Sequence, residues 1–120
     1  MDSNKEIALS FLRMSTSGSI DEAYGKYVSS NFHHHNPYFH DDAASLKEGM
    51  KDNKKRFPNK IYKVIQALED GDLVAVHGLV KLSEKMQIAV VHILRFENGK
   101  IVEMWDIGQQ IPNDAVNSML

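Results

Sequence analysis

Apolar residues recur at helical spacing through the first half of the chain and alternate along the second half. Ile7, Ala8, Phe11 and Leu12 fall on one face of a helix. Ser3-Asn4-Lys5-Glu6 starts it as a capping box, with a hydroxyl and a carboxylate placed to satisfy the free amides of the first turn. This helix is predicted to reach about Met14, before Ser15-Thr16-Ser17-Gly18 breaks the pattern. Ser19-Ile20-Asp21-Glu22 repeats the capping signature and predicts a short helix carrying Ala23, Tyr24 and Tyr27, ending near Ser29-Ser30. Asp41-Asp42 can cap a third helix, with Leu46, Met50 and Phe57 as its apolar stripe and Pro58 as its stop.

From Lys60 onward, β-branched and alternating residues predict four antiparallel strands over 60–69, 72–82, 86–97 and 100–109, with turns at Asp70-Gly71-Asp72 and Asn98-Gly99. Leu73-Val74-Ala75-Val76 and Ile88-Ala89-Val90-Val91 are apolar on both faces. One face is therefore expected to meet the helices and the other a second copy of the chain. Three helices therefore precede the strands.

The last hairpin admits two registers. A two-residue turn at Asn98-Gly99 sets Glu97 opposite Lys100 and sends His92 and Asp106 to opposite faces. A three-residue loop with Gly99 in the left-handed position sets Phe96 opposite Lys100 and shifts the parity by one, so that His92 and Asp106 share a face. The second register also puts Val90, Leu94, Val102 and Met104 on that face and sends Arg95 and Glu103 to the other. It avoids burying those two charges without partners, and is the register expected here.

Composition narrows the possible functions. A 120-residue chain with 42% hydrophobic and 25% charged residues suits one globular domain over residues 1–120. A net charge of −2 gives no field to hold a phosphate backbone, so no nucleic-acid partner is expected. Without cysteine there are no disulfides or thiolate metal sites, and nothing requires an oxidising compartment. The first residues lack the apolar run of a signal peptide and no stretch is long enough to span a membrane. A cytoplasmic location without membrane contact is the expectation.

A lone carboxylate on an apolar face is costly to ionise, which makes Asp106 the best candidate for proton transfer. His92 and, with less support, His77 are further candidates; Trp105 alternates away from Asp106 and reads as packing or interface. The stretch Phe-His-His-His-Asn-Pro-Tyr-Phe-His, residues 32 to 40, holds four of the six histidines. His33 and His35 share a side of an extended segment, with His40, Asp41 and Asp42 nearby, while His34 points the other way. A metal site there is chemically conceivable. Pro37 separates the pair from His40 and no second ligand motif has recognisable spacing, so no metal is expected.

Four segments together resemble the SnoaL-like polyketide cyclase family of the nuclear transport factor 2-like superfamily. They are Phe-His-His-His-Asn-Pro (32 to 37), Gly-Asp-Leu-Val-Ala-Val-His (71 to 77), Val-Val-His-Ile-Leu-Arg-Phe-Glu-Asn-Gly-Lys-Ile-Val-Glu-Met-Trp-Asp (90 to 106) and Gln-Gln-Ile-Pro (109 to 112). The resemblance implies a cone-shaped, cystatin-like α+β barrel, in which a curved antiparallel sheet wraps three helices around one deep pocket, and a homodimer formed through the sheet. It further implies that Asp106 acts as general acid/base, with His92 facing the pocket and His35-Asn36 on an irregular strand along the cavity. His33 and His34 replace residues usually apolar and amide-bearing, and Met104 stands where many relatives have a histidine. Candidate ligand contacts are His35, Asn36, His77, Met104, Tyr27 and Phe32. Two readings follow: a cyclase, aldol or isomerase enzyme acting without a cofactor on a small carbonyl or polyketide-like substrate, or a non-catalytic small-molecule binding protein on the same fold.

Overall fold

The computed structural model describes residues 2–117. The element order is α1 (Asn4–Ser17), α2 (Ile20–Tyr27), β1 (Val28–His34), α3 (Ala43–Arg56), β2 (Ile61–Asp70), β3 (Leu73–Ser83), β4 (Met86–Glu97) and β5 (Lys100–Ile111). None of the described helices is long and apolar enough to cross a membrane.

The caps explain where the helices start. Ser3 Oγ accepts the Glu6 amide at 3.1 Å, and α1 runs on to Ser17, three residues beyond Met14, where Gly18 at φ 104° takes the left-handed position. Ser19 makes no side-chain cap, contrary to its capping-box signature; its carbonyl receives the Ala23 amide instead. Asp42 caps α3 through the Ser45 amide at 2.7 Å. Asp21 lies 2.9 Å from Lys51 and 3.4 Å from Lys47, so part of the basic face of α3 is occupied by α2.

Among the described residues the α+β class is as expected, with three helices and a sheet, but the sheet differs in two respects. It has five strands in the order β1-β5-β4-β3-β2, and β1 pairs parallel with β5 while the other pairs are antiparallel. It is mixed and open at β1 and β2 rather than a closed, wholly antiparallel barrel. Helix α2 ends at Tyr27 and Val28 is already extended, so the chain passes directly from helix to edge strand. The core lies between the helices and the inner face of the sheet, where Phe11, Leu46, Val74, Val76, Leu94, Ile101 and Met104 are fully enclosed. The opposite face leaves Ile61, Leu68 and Ile107 more than half exposed.

The β4–β5 hairpin corrects the expected turn and preserves its consequence. Glu97 pairs with Lys100, and Asn98 (φ 52°) and Gly99 (φ 77°) both have positive φ, as a two-residue type I′ turn requires. The extra residue comes two positions later. Phe96 pairs with Ile101 but Arg95 with Glu103, so Val102 is an additional residue in a β-bulge, and Ile101 and Val102 are both buried. Beyond the bulge His92 lies directly opposite Asp106. Arg95 and Glu103 pair on the outer face, Nε to Oε1 at 2.9 Å.

Candidate active site

Alternation past the bulge directs His92, Asp106, Val90 and Gly108 to the inner face, where β4 and β5 form one wall of a cavity. Its volume is 680 Å³, and α1, α3, β2 and β3 supply the remaining walls through residues such as Ser15, Met50, Tyr62 and Val80. Arg56 and Lys60 add positive charge to the lining. Lys60 donates to Asn53 Oδ1 at 2.7 Å, and burial, reinforced by Lys54, holds its pKa below the usual lysine value.

The segment after β1 brings in Asn36. The His35 amide donates to the Met104 carbonyl at 2.9 Å, extending the contact of β1 with β5 by one residue. His34 Nδ1 accepts the Asn36 amide at 3.0 Å, so the ring proton resides on Nε2, which donates to the His40 carbonyl. The buried His34 thus closes the 34–40 loop. Asn36 Oδ1 receives the Tyr38 amide at 3.0 Å, and its Nδ2 donates to Asp106 Oδ2 at 2.9 Å. One carboxylate oxygen is anchored in this way. The other, Oδ1, lies 3.4 Å from His92 Nε2, an electrostatic contact rather than a short hydrogen bond. Burial lowers the His92 pKa, while the Asp106 charge acts in the opposite sense. Burial is the larger effect and favours a neutral imidazole.

Three lining residues carry buried polar atoms without a hydrogen-bond partner among the described residues: Ser15 Oγ, Tyr62 OH and His92 Nδ1. The Tyr62 phenol is pushed up to about 12, chiefly by burial, with Arg13 pulling it down and Asp106 pushing it up. Its ring meets His92 edge-on at 6.4 Å. Gly78 makes room for that ring, since a Cβ there would sit 2.7 Å from Tyr62 Cε1.

The expected site residues therefore separate. Asp106, His92 and Asn36 line the cavity together. His35 does not join them: alternation with the buried His34 sends it to the outer face, where it stacks on Trp105 at 4.8 Å and bonds Glu103 Oε2 at 2.7 Å. His77 is also on the outer side, with Nδ1 3.1 Å from Gln66 Nε2, because it alternates with the buried Val76. Tyr27, Phe32 and Met104 belong to the packed core rather than the cavity lining, and the Tyr27 hydroxyl is taken up by Ser10 Oγ at 2.9 Å. Tyr62 was missed from the sequence, although period-2 alternation over 60–69 and the glycine facing it at 78 were available signals.

The model of the SnoaL-like polyketide cyclase family matches residues 6–113, nearly the whole chain. The chain belongs to this family. Among solved structures, this SnoaL-like protein is similar to AclR from Streptomyces galilaeus, with a TM-score of 0.78 and 21% identity over 88% of this chain and 78% of that one. A SnoaL-like polyketide cyclase from Agrobacterium tumefaciens matches with a TM-score of 0.75 and 16% identity over 91% and 93% of the two chains. A cystatin-fold protein from Novosphingobium aromaticivorans matches with a TM-score of 0.75 and 19% identity over 89% and 99%. These likenesses establish the fold. No curated protein matches this SnoaL-like chain.

Proposed function

We propose that this SnoaL-like protein takes a small carbonyl or polyketide-like compound into the cavity and uses Asp106 to move a proton at a carbon next to a carbonyl. The observation that carries this reading is the unequal treatment of the two Asp106 oxygens: Asn36 anchors Oδ2 at 2.9 Å, while Oδ1 meets the neutral edge of His92 at 3.4 Å. An anchored carboxylate whose second oxygen accepts no short hydrogen bond suits a general base. In an intramolecular aldol reaction Oδ1 removes the α-proton, the resulting enolate carbon attacks a second carbonyl of the same molecule, and the protonated Asp106 returns the proton to the new alkoxide. Asn36 has a second amide hydrogen beside Asp106, suited to the carbonyl oxygen as enolate charge develops. Of the two neighbouring candidate contacts, Asn36 faces the cavity while His35 lies on the outer face. The chemistry needs no cofactor.

The test is proton exchange, which requires no knowledge of the natural substrate. In deuterated buffer the protein is expected to speed loss of the α-proton NMR signal of a 1,3-diketone, and Asp106→Asn to remove about 10²- to 10⁴-fold of that acceleration. An acceleration unchanged in Asp106→Asn would refute the assignment. Diketone binding without any exchange would favour the non-catalytic binding reading.

A further inference from the structure

His33 and His35 lie two residues apart and project from the same side of the chain. Parallel pairing of β1 with β5 sets His33 opposite Glu103 on the outer face of the sheet. Glu103 Oε2 lies 3.2 Å from His33 Nε2 and 2.7 Å from His35 Nε2, and the three donor atoms fall within 4.8 Å of one another. Supporting contacts hold two of the three side chains. The His35 ring stacks on Trp105 with 11° between the planes, and Arg95 Nε holds the other Glu103 oxygen at 2.9 Å, turning Oε2 toward the imidazoles. We propose that His33, His35 and Glu103 form a binding site for a divalent transition-metal ion, Zn²⁺ in particular, separate from the cavity and facing away from Asp106.

Two imidazoles and one carboxylate suit zinc and its neighbours rather than magnesium or calcium. Metal–ligand distances near 2.1 Å in a tetrahedron separate ligand atoms by about 3.4 Å. The two donor separations to Oε2 need to open by well under 1 Å and the imidazole nitrogens, within 4.8 Å of each other, to close toward about 3.4 Å, which the two half-exposed imidazoles can do while the partly buried Glu103 stays in place. The nearby guanidinium does not make the site positive. Arg95 is balanced by Glu97 at 3.1 Å, which leaves the charge of Glu103 for the ion. The remaining coordination positions face solvent, where water can complete the shell.

The chain has one tryptophan, Trp105, and it stacks on one of the proposed ligands, so binding can be localised as well as measured. Untagged, metal-stripped protein is titrated with Zn²⁺ alone by calorimetry, and with Co²⁺ while Trp105 fluorescence is followed. The expected result is one equivalent of Zn²⁺ per chain and quenching by Co²⁺ that saturates. His33→Ala and Glu103→Gln are each expected to weaken both signals by at least the roughly tenfold that loss of a supporting partner costs. His40→Ala, which removes an exposed imidazole outside the cluster, leaves both unchanged. Absence of stoichiometric binding, or binding that survives both ligand substitutions, would overturn the site. His33 is half exposed, so its substitution tests the ligand set without threatening the fold.

Discussion

Tyr62→Phe should make this protein more stable. The substitution keeps the ring, its edge-on contact with His92 at 6.4 Å and its fit over Gly78, and removes only the hydroxyl. That hydroxyl is buried without a hydrogen-bond partner among the described residues. An unsatisfied buried polar group costs about 1–3 kcal/mol, so a gain of about 1–2 kcal/mol is expected. At roughly 2.1 cal/mol/K per residue, the unfolding entropy of 120 residues is about 0.25 kcal/mol/K, and each kcal/mol raises Tm by about 4 °C. The assay is urea and thermal unfolding of both proteins between roughly pH 6 and 9. With the phenol pushed up to about 12, the gain should be flat across that range. Diketone exchange measured in parallel reports whether the hydroxyl also serves the bound compound. Loss of 1 kcal/mol or more on substitution would refute the reasoning, because it would mean that the hydroxyl has a partner in the native state.

The remaining expectations concern pH and backbone contact. Burial depresses the folded pKa of His92 below its unfolded value near 6.5, so the fold favours the neutral ring. The associated stability is fully present above about pH 6.5 and is lost as pH falls toward the lower folded value, so His92→Asn should flatten the acid side of a urea-stability profile. An unchanged acid slope would place the titrating group elsewhere. Gly78→Ala puts a Cβ 2.7 Å from the Tyr62 ring and 2.9 Å from the Lys63 carbonyl, and should cost about 1–3 kcal/mol in urea unfolding while displacing Tyr62 in a crystal structure. A neutral effect would show that the ring yields freely.

Helix starts were legible where a cap side chain was in fact used, as at Ser3 and Asp42, and misleading at Ser19, where the backbone carbonyl alone serves. Strand β1 was not predicted from residue pattern, because Val28 to Asn31 shows no apolar alternation and the strand's partner lies some seventy residues away. That same distant pairing supplies Glu103 to His33, which no local spacing could indicate. The placing of His35 was available: Phe32 and His34 are enclosed, and period-2 alternation through the segment puts His35 beside His33. Asn36 reaches the cavity because the chain leaves the strand there and folds back on its own amide contacts. Tyr27, Phe32 and Met104 illustrate the usual destination of large apolar side chains, which is packing.

The bulge at Val102 makes Asp106 a matter of counting. Because a strand reverses the direction of its side chains at every residue, the carboxylate reaches the cavity only when the number of positions between the turn and Asp106 has the right parity. Were Val102 paired regularly, the ladder that starts at Glu97–Lys100 would set His92 opposite Trp105 and carry Asp106 to the other side of the sheet, so one bulge is what the present spacing needs. A related chain one residue shorter here would reach the same placement with a regular hairpin, so residues and bulges are counted together in deciding which side of the sheet the acid meets.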